Sequence, residues 1–180
     1  MVDFPLPLLG FAAYSGTGKT TLLSKLIPLL TKKGYRIGII KHTHHNIDID
    51  KPGKDSFVLR ESGASQIVVA SRNRTAIIIE DPTQTKEPEL VDALMNLNTD
   101  SLDLVLVEGF KLADFAKIEL HREALAKPYL YPTDQNIIAI ATDHTHDLDD
   151  QNIPAKLDMN NTQQIADFIE TNFLNIHNDK

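Results

Sequence analysis

Cysteine is absent from the 180 residues of this chain. Disulfides, thiolate-ligated metals and cysteine nucleophiles are thereby excluded. Long apolar runs are missing too. None approaches the roughly 18 residues needed to cross a bilayer, and residues 1–7 have neither the basic start nor the apolar stretch of a secretory signal. A cytoplasmic location with no membrane partner is expected. Positive charge is also short. Against 25 Asp and Glu stand 18 Lys and Arg, a formal net charge of −7. Binding along nucleic acid needs a basic face to displace counterions, so no nucleic-acid partner is expected. One local basic spot for a phosphate group remains compatible with this balance.

What is present reads as an ordinary globular α/β chain, with 42% hydrophobic and 24% charged residues. Short β-branched runs alternate with longer amphipathic stretches, which predicts a mostly parallel sheet flanked by helices. Strands are expected at 8–12, 36–41, 102–107, 116–121 and 137–142. Helices are expected at 19–32, about 55–62, 87–97 and 162–176. Pro28 falls inside the first helix and predicts a kink there, and Gly34 closes it. Two runs, 66–71 and 75–80, are joined by Arg72-Asn73-Arg74 and predict a β-hairpin decorating the parallel sheet. No repeat, low-complexity tract or linker divides the chain, so residues 1–180 are expected to form a single nucleotide-binding domain.

The strongest motif is Ala13-Tyr14-Ser15-Gly16-Thr17-Gly18-Lys19-Thr20. It lies between a predicted strand and a predicted helix, the context that the phosphate-binding loop G-x-x-x-x-G-K-[ST] requires. Ala13 replaces the first glycine. Gly16 and Gly18 still permit close backbone approach, and successive N–H groups at a helix start form an anion nest. Lys19 is expected to reach the β/γ phosphates and Thr20 to ligate Mg²⁺. A second element, Leu102-Asp103-Leu104-Val105-Leu106-Val107-Glu108-Gly109, is an apolar strand that carries a carboxylate to the same crevice. Glu108 there either holds the metal through water or orients an attacking water, and Gly109 allows approach to the γ-phosphate.

The segment 41–55 concentrates His42, His44, His45, Asp48, Asp50, Asp55, Lys41, Lys51 and Lys54 after the second strand, at the carboxyl edge of the sheet. Three readings fit it. Asp48, Asp50 or Asp55 completes a Mg²⁺ shell as a switch segment; the three histidines bind a transition metal; or the loop is merely solvated. Lys111, Lys117 and Arg122 lie where an anion site could use them, although ordinary surface charge is the better explanation of each. Asp143 stands where small GTPases place the aspartate that reads guanine, and a turn cap explains it as well. The residues alone leave the base open.

Taken together, the loop 13–22, Lys41-His42-Thr43-His44-His45, residues 48–56 and Leu106-Val107-Glu108-Gly109-Phe110-Lys111 resemble the MobB family, adapter proteins of molybdopterin-guanine dinucleotide biosynthesis. The resemblance runs from the first strand to about Arg122. It implies a GTP- and Mg²⁺-binding P-loop protein, a weak GTPase at most and a homodimer, partnered by molybdopterin guanylyltransferase and molybdopterin. By position it implies nucleotide contacts from Tyr14, Ser15, Gly16, Thr17, Gly18, Lys19, Thr20, Thr21, Asp48, Asp50, Asp55 and Gly109. Metal contacts fall to Thr20, Asp55 and Glu108, and catalytic roles to Lys19 and Glu108. Two rivals are a metallochaperone GTPase built on the histidine loop and a small-molecule kinase. A kinase needs a cationic lid, and the arginines 36, 60, 72, 74 and 122 are scattered.

Overall fold

Among the described residues six parallel strands form the main sheet, in the order β2-β5-β1-β6-β7-β8. They are β1 (Leu8–Ala12), β2 (Ile37–Lys41), β5 (Leu104–Glu108), β6 (Lys117–His121), β7 (Ile137–Thr142) and β8 (Ala155–Asp158). The computed structural model describes residues 2–43, 50–81, 83, 85–144 and 154–175. The chain packs as two compact units, Met1–His42 with Glu89–Lys180, and Thr43–Pro88.

Strands buried on both faces must be apolar throughout, and β5 meets that demand: Leu104, Val105, Leu106 and Val107 are all fully buried. Their side chains alternate between two cores. Leu104 and Leu106 join Leu9, Phe11 and Ile118 under helices α1 (Lys19–Lys32) and α4 (Thr162–Ile169). Val105 and Val107 join Ile40 and Phe115 under α3 (Leu90–Leu94). Helix α1 buries Leu22, Leu23, Leu26 and Leu30 on one stripe and continues through Pro28. It stops in a Schellman turn, where Gly34 N–H donates to the Thr31 carbonyl and Tyr35 N–H to the Leu30 carbonyl.

Several elements differ from the sequence reading, each for a local reason. Helix α3 spans only five residues. Pro88 disfavours helical backbone at Glu87, and a reciprocal capping box between Glu89 and Asp92 sets the start. The closing helix changes at Glu170 into a π-helical turn that ends at Leu174. The wider turn brings Leu174, five residues after the buried Ile169, into the core. Strand β8 is not foreseen. It is a short edge strand with one buried apolar residue, Leu157, and lacks a β-branched run.

The second unit holds α2 (Asp55–Glu61) and the antiparallel hairpin β3 (Gln66–Ala70) and β4 (Thr75–Ile79). The hairpin is a two-stranded sheet of its own, not a decoration hydrogen-bonded to the parallel sheet. Its turn is closed by Ser71 N–H donating to the Arg74 carbonyl at 2.8 Å.

Strand β5 leaves the sheet through Gly109 at φ 107° and Phe110 at φ 49°, while His42 N–H donates to the Glu108 carbonyl at 2.8 Å. A Cβ on Gly109 would stand 2.6 Å from the Cβ of His42. Gly109→Ala is therefore strained in its backbone and blocked in space, and the expected destabilisation is about 2 kcal/mol or more in denaturant unfolding. An unchanged midpoint would contradict this account of the turn.

Candidate functional site

Strand β1 ends between its neighbours β5 and β6, and the chain order reverses direction across it. Such a switch point opens a crevice at the carboxyl edge of a parallel sheet. Residues 13–18 fill the turn between β1 and α1. Gly16 and Gly18 have φ of 81° and 105°, a left-handed backbone that side chains resist. Gly16 is exposed, and a Cβ added to it would meet nothing within 4 Å, so it is the positive φ and not crowding that calls for glycine there. Ala13 fits because its backbone lies outside the positive-φ region and its methyl group joins the core. Thr17 is buried, and its hydroxyl donates to the Tyr14 carbonyl at 2.8 Å, bracing the loop. Thr20 and Thr21 open α1 in exposed positions.

The Lys19 ammonium lies back over the loop and donates to the carbonyls of Ala13 at 3.2 Å and Tyr14 at 3.3 Å. Partial burial lowers its pKa below the ordinary lysine value, and Glu108 opposes that shift. Both hydrogen bonds are long for a charged donor, so exchange for phosphate oxygens is favourable. Glu108 sits one strand away, in register with Phe11 of β1 and Lys41 of β2. Its carboxylate accepts from the Lys41 ammonium at 3.0 Å and is mostly buried. Next to it, His42 stacks on Phe110 with ring centres 4.6 Å apart.

More cations gather here than their sequence positions suggest. Lys111 and Lys127 stand 5.6 and 6.0 Å from the centre of the Tyr14 ring. Arg122, at the exit of β6, donates through Nε to the Thr17 carbonyl at 3.3 Å and through Nη1 to Asp143 at 3.2 Å. Asp143 also accepts from Glu123 N–H at 3.0 Å. It therefore caps the turn after β6 and holds an arginine. Lys117 is neither surface charge nor part of this edge: it is buried at the start of β6 and paired with Asp134 at 2.9 Å.

Sequence reasoning missed what aims the strap 122–136. Glu119 accepts from the N–H groups of Leu130 at 2.8 Å and Tyr131 at 2.9 Å. Burial raises its pKa while these two bonds pull it down. His121 stacks on Tyr129 at 3.8 Å, and burial lowers its pKa. Polar residues at alternate positions 117, 119 and 121 of an otherwise apolar strand were the available signal.

The remaining expected residues are not assembled in this unit. Asp50 accepts from Lys51 N–H and the Ser56 hydroxyl, and Asp55 begins α2; both belong to the second unit. Asp48, His44 and His45 lie outside the described residues. Among the described residues no group of three His, Asp or Glu is placed to hold a metal ion.

Comparison with known proteins agrees with this architecture. The family model described as "Molybdopterin guanine dinucleotide synthesis protein B" (MobB) matches residues 8–143. A molybdopterin-guanine dinucleotide biosynthesis adapter protein from Escherichia coli K12 is 49% identical over 165 residues, covering 91% of both chains. One from Haemophilus influenzae is 46% identical over 166 residues, covering 92% of this chain and 88% of its own. The crystal structure of a molybdopterin-guanine biosynthesis protein B superposes with a TM-score of 0.67 at 25% identity, over 91% of this chain and 98% of the other. With its phosphate-binding loop, its parallel sheet and a family match spanning both, the chain belongs to the MobB family.

Proposed function

We propose that the chain binds GTP with Mg²⁺ in the loop 13–20 and acts as an adapter in the formation of molybdopterin guanine dinucleotide. The observation that carries the nucleotide reading is the β1–α1 turn itself, with Gly16 and Gly18 in left-handed backbone, the Lys19 ammonium folded back over the loop, and Glu108 on the adjacent strand. The adapter role rests on family membership and on the names of the two bacterial relatives. On this reading a molybdopterin guanylyltransferase and molybdopterin are the partners, and the active form is a homodimer in the cytoplasm.

The residues present suit such a ligand. Backbone N–H groups of residues 15–20 cradle phosphate oxygens at the start of α1, where the helix dipole adds positive potential. Lys19 supplies a charged donor, and Tyr14 and Thr21 line the rim. The Thr20 hydroxyl and the Glu108 carboxylate are hard oxygen donors of the kind Mg²⁺ takes. The metal, when bound, neutralises phosphate charge and makes the terminal group a better electrophile. By family resemblance Asp48, Asp50 and Asp55 are proposed as further nucleotide contacts.

Turnover on this reading is slow. Glu108 is engaged by Lys41, so it must share its carboxylate before it can orient water. Arg122 lies against the loop but is tied to the Thr17 carbonyl and to Asp143, so it must give up these bonds before it can act as an arginine finger. The result is a protein that holds nucleotide longer than it hydrolyses it, which suits an accessory role.

Lys19→Ala is expected to weaken Mg²⁺–GTP binding about 100-fold in calorimetry. Because Lys19 bonds only carbonyls of its own loop, unfolding should shift by about 1 kcal/mol or less. Wild-type affinity in that variant would defeat the assignment. Glu108→Gln should keep affinity within about threefold and slow hydrolysis about 100-fold; equal rates in both proteins would remove Glu108 from the chemistry.

A further inference from the structure

Two cavities in the main unit deserve comparison. One of about 530 Å³ is lined by Pro5, Pro7, Tyr35, Leu102 and Asp103. These residues precede β1, β2 and β5, so that cavity lies at the amino edge of the sheet, away from the phosphate loop. The other, about 360 Å³, begins at Gly16, Thr17 and Gly18 and extends past Thr21, Lys25, Arg122, Met159 and Asn160. Its volume falls in the range of small-molecule sites. Leu22 and Met159 give it an apolar floor, and the polar groups stand around the rim.

Its position gives it a role. The loop has two flanks. On the β5 side stand Glu108 and Lys41, where the terminal phosphate and metal belong. A nucleotide with its phosphates in the loop leaves by the other flank, toward β6, β7 and β8, and there the smaller cleft lies. We infer that this cleft receives the nucleoside and selects a keto purine through cationic donors, with Lys25 donating to O6 and N7 of the base, and not through a carboxylate that reads N1–H and the 2-amino group. The inference rests on the nucleotide reading above and adds the base-selecting residue.

Three observations support it. Asp143, at the position where a carboxylate would read guanine, has one oxygen held by Arg122 and the other by Glu123 N–H. Among the described residues no Asp or Glu lines the cleft. Lys25 follows Thr21 by four residues, on the same face of α1. It is exposed, and among the described residues its ammonium has no hydrogen-bond or ion-pair partner. Lysine and arginine donors match the O6 and N7 acceptors of guanine, whereas adenine presents an amino group at position 6 and leaves the same donor opposed. The Asn160 side-chain amide, on the facing turn, also lacks a partner among the described residues and adds a neutral contact.

Calorimetry with Mg²⁺ and four ligands (tripolyphosphate, GTP, ITP and ATP) tests this on wild-type protein, Lys25→Met and Lys25→Arg. Lys25 is exposed, and both replacements are good helix formers, so the fold is kept. In wild-type protein GTP and ITP should bind alike, both roughly tenfold tighter than ATP, because ITP lacks only the 2-amino group. Lys25→Met should bring all three together without changing tripolyphosphate affinity, and Lys25→Arg should restore the preference. ITP binding far below GTP, or a preference that survives Lys25→Met, overturns the base-reading inference while the phosphate site stands. If neither tripolyphosphate nor any nucleotide binds, the nucleotide reading itself falls and this inference with it.

Discussion

Burial of β1 between β5 and β6 is the constraint on which the candidate site depends. The strand delivers residue 13 to the carboxyl edge at a fixed height, and Leu9, Phe11 and Ala13 hold it there through the core. Only then can the turn to α1 place two glycines in left-handed backbone ahead of the helix start. The same pairing puts Glu108 opposite Phe11 and Lys41 opposite Glu108. One hydrogen-bond register thus places the anion cradle, the carboxylate and a counter-cation within a single crevice.

Charge is distributed against the overall balance. A chain with a net charge of −7 collects Lys19, Lys41, Lys111, Lys127 and Arg122 around one loop. Lys41 and Arg122 are each answered by one carboxylate, Glu108 and Asp143, while Lys111 and Lys127 rest on the Tyr14 ring. A polyanion would find an attractive potential there and a repulsive one over most of the remaining surface. Strand β6 supports the arrangement from below. Its buried Glu119 and His121 hold the strap that carries Lys127, and its last residue leads into Arg122.

Much of this was legible in the residues because the elements concerned obey simple periods. β1, α1 and β7 begin and end where their apolar pattern does. The phosphate loop announces itself through glycine spacing, since few other constraints demand Gly-x-Gly-Lys-Thr after an apolar strand. Strand β8 was hidden because an edge strand buries little and has no need of β-branched residues. The π-helical turn at Glu170 was hidden because the sequence pattern shows which residues are apolar and not how wide each turn is. Arg122 and Asp143 were visible as charges but not as a pair. Their meeting depends on β6 and β7 lying side by side in register, a long-range fact that local pattern does not carry. The two-stranded hairpin was legible as a hairpin, whereas its separation from the main sheet follows from pairing partners alone.

The central claim is that main-chain amides at the β1–α1 turn, together with the Lys19 ammonium, grip the phosphate chain of a nucleotide. Backbone amide resonances of the ¹⁵N-labelled protein, followed as Mg²⁺–GTP is added, test it directly. The account requires the largest shifts at residues 15–20, with smaller ones at Glu108 and Gly109. Saturating shifts confined to other residues, with the loop amides unmoved, would contradict it.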